Sequence, residues 1–378
     1  MQHGRCCWLM ILFNFYNTYA YNYIDIFVAM KILMLLLVPF FSTAQIKPIY
    51  KNLALEGGGL RGIAYAGAFK ALEENGTMPQ IENVAGSSAG AIAGLMISIG
   101  YHADEIDSIL MSLKFQKFND GKGGLIGKYK RIKRKFGMYK GDKYEIWLKE
   151  MLLMKTGNAD LTFMQLHQLK LNNKKYKDLY CTGTNISKQR LEVFSYKNTP
   201  SFSVATAVRI SGGIPLYFTP IVLNDSLQKI EPGDTSSYIN YYVDGGMLCN
   251  YPISMFDSCK HGSMPLLCDD LIFNKETIGI KLERKEQIDS FLNNSIEIPA
   301  YQPKTINDYF AAFANLLIET MARKYPGLLN EKGRSIYVDY GKVNPKVKKV
   351  STKNRRMLYE NGQAGVLQFF ETQQKLTQ

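Results

Sequence analysis

Residues 81–90 constrain the fold more than any other stretch of this 378-residue chain. Ile81 to Ala85 is short and apolar, Gly86-Ser87-Ser88-Ala89-Gly90 follows without a spacer, and Ala89 to Ile99 is a run of small residues with helical character. A strand that passes into a helix through so short a turn must bend sharply. The central residue is then forced into a strained conformation, and its side chain is lifted clear of the sheet. Gly86 and Gly90 remove side chains that would clash there, and the positive end of the following helix faces Ser88. The same five residues also fit a tight turn in which Ser88 merely caps the helix.

The rest of the chain repeats the strand–helix rhythm. Leu53-Ala54-Leu55 leads into Gly57-Gly58-Gly59, and Gly62 to Glu74 reads as a helix stopped by Asn75-Gly76. Asp142-Lys143-Tyr144-Glu145 and Thr162-Phe163-Met164-Gln165 both have the form of a capping box, the first opening a helix through Met154. Strands are expected at Leu179–Thr184, Leu191–Phe194, Tyr241–Val243, Ile278–Leu282 and Ile336–Val338, and long helices at Asn307–Arg323 and Lys353–Gln373. Residues 221–238 read as a surface excursion. Such alternation predicts a mostly parallel sheet covered on both faces. No linker interrupts it, so residues 51–260 and the helix-rich remainder, 261–378, are expected to form one α/β domain. A hydrophobic content of 46% is enough to bury its core, and 21% charged residues argues against global disorder.

Residues 1–44 read as a leader. Met30-Lys31, an apolar run from Ile32 to Phe41, and Ser42-Thr43-Ala44-Gln45 make a short basic start, a hydrophobic segment and a small-residue cleavage site after Ala44. The run falls short of the roughly 20 apolar residues that span a bilayer. A signal peptide over residues 30–44 implies export to the periplasm, cell surface or medium, with residues 1–29 an upstream misreading of the start. Of the six cysteines, Cys6 and Cys7 fall in this leader. Cys181, Cys249, Cys259 and Cys268 remain, with three possible pairings that export would permit. Cys181 lies in an apolar run and reads as a buried free thiol.

If Ser88 is a nucleophile, it needs a base. Outside the leader the only histidines are His102, His167 and His261, and none follows a strand end in a motif-like setting. The other candidate is Asp244, which ends the apolar strand Tyr241-Tyr242-Val243 and is followed by Gly245-Gly246. A buried carboxylate can take the serine proton, although Asp-Gly alone also reads as a hairpin turn. A third element, Gly57-Gly58-Gly59-Leu60-Arg61-Gly62, stands at a strand end and opens a helix. Its backbone N–H groups can cradle an anion, either a phosphate or the oxyanion of acyl transfer. A dinucleotide site would need an acidic residue at the end of the next strand, but Glu82 stands at the start of its strand, and no G-K-[ST] sequence is present.

Taken in order, Gly57–Gly62, Gly86–Gly90 and Asp244–Gly246 resemble the three signature motifs of patatin-like phospholipases. Ala207-Val208-Arg209-Ile210-Ser211 through Ile214-Pro215, and the run from Asp244 to Asn250-Tyr251-Pro252, resemble the family's flanking segments. Gly212-Gly213 departs from it, since the family more often carries bulkier residues there. The resemblance implies a three-layer α/β/α fold with a mostly parallel central sheet. It also implies hydrolysis of acyl esters of phospholipids or related lipids, as in lipid catabolism, through a Ser88–Asp244 dyad that needs no histidine, metal or cofactor. Gly57, Gly58, Gly59, Arg61 and Gly62 would form the oxyanion loop, with Arg61 fixing the loop or meeting a phosphate. The alternatives are an idle lipid- or membrane-binding protein that keeps the fold, and a phosphate-binding protein using the glycine loop.

The chain carries a net charge of +13, which attracts anionic partners. Lys122, Lys128, Lys130, Arg131, Lys133, Arg134 and Lys135 fall in one stretch without an acidic residue. Gly121, Gly123, Gly124 and Gly127 loosen its start, while Leu125, Ile126, Tyr129, Ile132 and Phe136 are interleaved. This is either a membrane-docking segment or a solvated loop over the site. No base-stacking module accompanies it, so nucleic acid is not an expected partner.

Overall fold

Leu53, Ala54 and Leu55 have no exposed surface because the strand that carries them, β1 (Asn52–Leu55), has a parallel neighbour on each side and covered faces above and below. A computed structural model describes residues 48–230, 239–292 apart from 263 and 269, 332–341, 350–376, and positions 303, 305, 309 and 343. The expected leader and the expected helix Asn307–Arg323 lie outside the described residues, apart from position 309.

The central sheet has eight strands. β1 pairs in parallel with β2 (Asn83–Gly86) and with β11 (Thr277–Glu283), which pairs in parallel with β12 (Ser335–Asp339). On the other side β2 pairs in parallel with β4 (Asp178–Asn185), whose second edge takes the antiparallel β5 (Arg190–Phe194). β8 (Asn240–Asp244) is antiparallel to β4 and carries the edge strand β7 (Ile221–Leu223). The expected excursion at 221–238 is thus corrected at its start. Ile221-Val222-Leu223 is short and apolar enough to add a strand to β8, and Leu223 is fully buried. Residues 231–238 lie outside the described residues.

Parallel strands need crossovers, and helices supply them. They are α1 (Ala64–Glu74) between β1 and β2, then α2 (Ala89–Ser98), α3 (Ala103–Ser112), α4 (Gly124–Lys135), α5 (Asp142–Thr156) and α6 (Phe163–Asn172) between β2 and β4. A short strand, β3 (Gly137–Tyr139), interrupts this series and pairs with β6 (Leu216–Phe218), which follows α7 (Val204–Ser211). A β9–β10 ribbon (Ser258–Cys259 and Leu271–Ile272) is closed by a Cys259–Cys268 disulfide, and Cys181 and Cys249 are buried free thiols. After α8 (Lys285–Leu292) and β12 comes the long α9 (Thr352–Leu376). Helices flank the sheet, which is the α/β/α architecture expected.

The last helix joins the core by backbone contact. A Cβ on Gly67 of α1 would lie 1.8 Å from the Tyr359 carbonyl of α9, and one on Gly362 would lie 2.1 Å from the Ala64 carbonyl. Glycines let the two helices approach until Leu358 and Val366 have no exposed surface.

Local capping is read correctly once and wrongly once. Thr162 and Gln165 form the expected reciprocal box at α6. At α5 the expected Asp142 box is absent, because the cap comes from elsewhere in the chain. Gly141 occupies the N-cap position, and the buried Asp120 accepts the N–H groups of Gly141 at 2.7 Å and Lys143 at 3.0 Å.

Candidate active site

Cys181 of β4 pairs with Gly86 of β2 on one side and with Phe194 of β5 on the other, while Gly183 pairs with Glu192 of β5 and with Asp244 of β8. β2 and β8 therefore share the same edge of β4. One runs parallel to β4 and the other antiparallel, so their C-terminal ends meet head on, either side of Thr182. This brings residues 88 and 244 together.

The turn after β2 is as sharp as its glycines require. A Cβ on Gly86 would lie 2.4 Å from the Gly90 carbonyl oxygen, and one on Gly90 would lie 2.3 Å from that of Leu55. Ser88 sits at φ 51° and ψ −119°, a region that disfavours a side chain and carries strain on the order of 1–3 kcal/mol. Its neighbours hold it there. The buried Ser87 hydroxyl donates to the Cys249 carbonyl at 2.6 Å and shares a hydrogen bond of 2.5 Å with Thr182. The Ser88 N–H donates to Oγ of the buried Ser211 at 3.0 Å.

The half-buried Ser88 hydroxyl donates to Oδ2 of Asp244 at 2.7 Å. Oδ1 of Asp244 accepts the Gly246 N–H at 2.8 Å, and Thr184 Oγ1 donates to the Asp244 carbonyl at 2.9 Å. Gly245 lies so close to β4 that a Cβ would stand 2.1 Å from Thr182 Oγ1. Asp244 is 6% exposed, and burial pushes its carboxyl up to about 7, against the hydrogen bonds from Ser88 and Gly246 that lower it. A carboxylate so placed can accept the serine proton near neutral pH.

The glycine loop borders the same pocket. Gly57 donates its N–H to the Asn250 carbonyl at 2.9 Å, while Asn250 Nδ2 donates to the Gly57 carbonyl at 3.1 Å and to Glu56 Oε1 at 3.3 Å. Glu56 is buried, accepts the Leu282 N–H at 2.7 Å, and is held well above the ordinary carboxylate range by burial and then by the charge of Glu283. Arg61 donates to the Val343 carbonyl at 3.2 Å and lies 3.6 Å over the Tyr340 ring, so its side chain braces the loop. Gly62 packs against Ala89. Of the five loop residues singled out in the sequence, Gly58 and Gly59 keep backbone N–H groups with no protein acceptor among the described residues. These two can face an oxyanion, whereas Gly57, Arg61 and Gly62 shape the loop.

The three histidines are engaged elsewhere. His102 caps α3 and is largely exposed, His167 stacks on Tyr196 at 3.9 Å and meets Asp178 at 2.9 Å, and the exposed His261 lies near Asp270. Sequence reasoning missed the roles of Ser211, Thr182 and Glu56. The first lay inside a quoted motif with no role assigned, and the other two have no sequence signal, since their contacts are made between strands.

The pocket at Ser88 has an empty volume of about 500 Å³ including its open mouth. Its wall is apolar, built from Ile92, Phe115, Phe118, Ile214, Phe218 and the ring of Tyr144. Gly212 also lines it, and a Cβ there would lie 2.4 Å from the Tyr144 hydroxyl, so Tyr144 occupies the space that a larger residue would need.

The chain is similar to several known proteins. A protein of Acanthamoeba polyphaga mimivirus, R571, is 29% identical over 326 residues, covering 84% of this chain and 93% of the viral protein. A probable lipid hydrolase of Invertebrate iridescent virus 6, 463L, is 27% identical over 219 residues, covering 56% of this chain and 65% of its own length. Among solved structures, VipD from Legionella pneumophila shares the fold with a TM-score of 0.51 at 20% identity, over 86% of this chain and 67% of VipD. Residues 53–257 match the patatin-like phospholipase family, a span that contains the elbow, the glycine loop and the aspartate strand, and the chain belongs to that family.

Proposed function

We propose that this protein hydrolyses acyl esters of phospholipids or related lipids by way of an acyl-enzyme on Ser88, with Asp244 as the base. The observation that carries this reading is the 2.7 Å hydrogen bond from Ser88 Oγ to a buried Asp244 carboxylate, set at the foot of an apolar pocket. Ser88 Oγ attacks the ester carbonyl carbon as its proton passes to Asp244 Oδ2. The carbonyl oxygen becomes an oxyanion facing the N–H groups of Gly58 and Gly59. The tetrahedral intermediate collapses, the ester C–O bond breaks, and the leaving alcohol takes the proton from Asp244. Water then attacks the acyl-enzyme with Asp244 again as base, releasing the fatty acid and restoring the serine hydroxyl. The aromatic and aliphatic wall suits an acyl chain better than a polar substrate.

Ester hydrolysis and labelling by a fluorophosphonate probe test the reading. Wild type is expected to be labelled on Ser88 and to release fatty acid from phospholipid. Ser88→Ala and Asp244→Asn are each expected to lose activity by about 10³-fold or more. Undiminished hydrolysis by Ser88→Ala would rule this mechanism out.

Export remains part of the proposal. It is supported by the leader-like residues 30–44, and a Cys259–Cys268 disulfide is the kind of bond that an oxidising compartment preserves. N-terminal sequencing of the secreted fraction checks it, with Gln45 expected first.

A further inference from the structure

The stretch of clustered basic residues forms a helix, α4, rather than a solvated loop, and its apolar stripe points the wrong way for a core helix. Leu125, Tyr129 and Ile132 recur at helical spacing, with Phe136 continuing the stripe just past the helix end. In a helix packed by its apolar side these residues would be buried. Here Leu125 is 82% exposed, Tyr129 66% and Phe136 51%, with Ile126 beside them at 71%. The side turned toward the protein carries Gly127, Lys128 and Arg131 instead. Arg131 donates to the carbonyls of Met138 at 2.8 Å and Lys122 at 2.7 Å, and Lys128 lies 4.9 Å over the Tyr139 ring. Polar anchors therefore fix the helix with its apolar stripe outward.

The charges around that stripe are all of one sign. From Gly121 to Lys140 the chain has no acidic residue. Lys122, Lys130, Lys133, Arg134 and Lys135 are exposed and form no ion pair among the described residues. On the helix, Lys133 and Lys135 flank opposite sides of the stripe. Such long side chains can reach outward to anionic headgroups while the apolar residues between them enter the acyl region.

The same helix is tied to the pocket at both ends. Phe115 and Phe118, which line the pocket, precede it, and Tyr144, which also lines the pocket and packs on Phe118 at 5.3 Å, follows. Directly after α4, β3 pairs with β6, which carries Phe218 of the pocket wall, and Gly137 lies opposite Leu216, itself 61% exposed.

We propose that α4 docks this protein on a bilayer surface rich in anionic lipid, its outward stripe of Leu125, Ile126, Tyr129, Ile132 and Phe136 inserted among the headgroups and its lysines and arginines on the phosphates. The proposal deepens the lipid-hydrolase reading and rests on it for the purpose of docking, though not for the binding itself. At twelve residues the helix is about 18 Å long, too short to cross a bilayer, so it lies in the interface. A second copy of this chain is a poorer occupant, because a two-fold pairing would set one basic helix against its equal.

The test uses Ser88→Ala protein, so that binding is read without turnover, on vesicles of phosphatidylcholine alone and of phosphatidylcholine with roughly a third phosphatidylglycerol. Co-sedimentation is expected with the anionic vesicles, weakening as salt is raised. Leu125→Glu/Ile126→Glu is expected to lower that binding by about tenfold or more, since both side chains are exposed and neither supports the core. In the Ser88 background the same pair should slow hydrolysis of vesicle phospholipid while leaving hydrolysis of a soluble short-chain ester unchanged. Equal binding to both vesicle types, or full binding by the double variant, overturns the proposal. So does sedimentation showing a dimer that the double variant dissolves, with no vesicle binding. Vesicle binding lost on Leu125→Glu/Ile126→Glu in a protein that hydrolyses no ester would sustain the docking helix and reject the hydrolase reading, so the two fail separately.

Discussion

Ser88 and Asp244 are 156 positions apart in sequence and 2.7 Å apart at Oγ and Oδ2, because β2 and β8 approach each other from opposite directions along one edge of β4. Neither strand could do this alone. A parallel sheet places strand ends of the same polarity side by side, and it takes one antiparallel strand to point a second C-terminal end at the first. The break in the parallel pattern is thus the feature that builds the site.

The state of Asp244 sets the expected pH dependence. In the proposed mechanism it must be ionised to accept the Ser88 proton, and burial pushes its carboxyl up to about 7. The value of kcat/KM for a soluble ester should therefore rise with pH and level off above about 7. Asp244→Asn should be nearly inactive at every pH. A profile rising near the ordinary carboxylate value, about 4, would show that a different group limits the reaction.

The same burial sets a stability cost with a definite sign. Asp244 binds its proton more tightly in the folded chain than at its ordinary value of 3.8, so its protonated form contributes stability at low pH. That contribution is lost as pH rises from about 4 to about 7, where the carboxyl ionises while buried. Asp244→Asn stays neutral throughout, and its amide can still accept from Gly246 and donate to Ser88. The variant should melt several degrees above wild type at pH 8 and close to wild type near pH 4, with the difference growing between them. An equal difference at both pH values would mean that ionisation of Asp244 is not its source.

What the sequence discloses follows the range of the contacts involved. The elbow at Ser88 is legible because its strand, turn and helix are contiguous, and Gly86 answers a clash within a few residues, whereas Gly90 makes room for the carbonyl of Leu55 on the neighbouring strand. Asp244 is legible as a strand end, but its pairing with Ser88 depends on strand direction, which no local pattern encodes. The glycine loop is half legible. Its run of N–H groups is evident, yet the carbonyl that takes one of them belongs to Asn250, which comes from beyond β8. Asp142 fits a capping box letter by letter and loses the position to Asp120, a better-placed acceptor 22 residues earlier. In α4 the sequence shows apolar residues interleaved with basic ones, and only the helix and the packing of Arg131 and Lys128 reveal that the apolar residues form a stripe facing outward.

Asn250 offers a test of how the glycine loop is positioned. Its amide donates to the Gly57 carbonyl and to Glu56, and its own carbonyl accepts the Gly57 N–H. Asn250→Ala keeps the backbone bond and removes the two side-chain ones, leaving a buried carboxyl with a lost partner. If the loop's orientation supports the oxyanion, kcat should fall by about 10–100-fold with little change in KM, and fluorophosphonate labelling should slow in parallel. A change confined to thermal stability would instead make Asn250 a structural clasp.

The docking of α9 is testable without touching the site. Gly67 meets the Tyr359 backbone so closely that a single methyl would lie 1.8 Å from its carbonyl oxygen, and backbone on that side has little room to yield. Gly67→Ala should therefore push α9 away from α1 and cost about 1–3 kcal/mol, despite alanine's better helix propensity. At Gly333 an added Cβ would meet nothing within 4 Å, so Gly333→Ala should leave the melting temperature nearly unchanged. Thermal unfolding of the two variants beside wild type separates close packing from a general effect of replacing glycine. If Gly67→Ala melts at or above wild type, the helices have room to spare and the contact between α1 and α9 is looser than the geometry states.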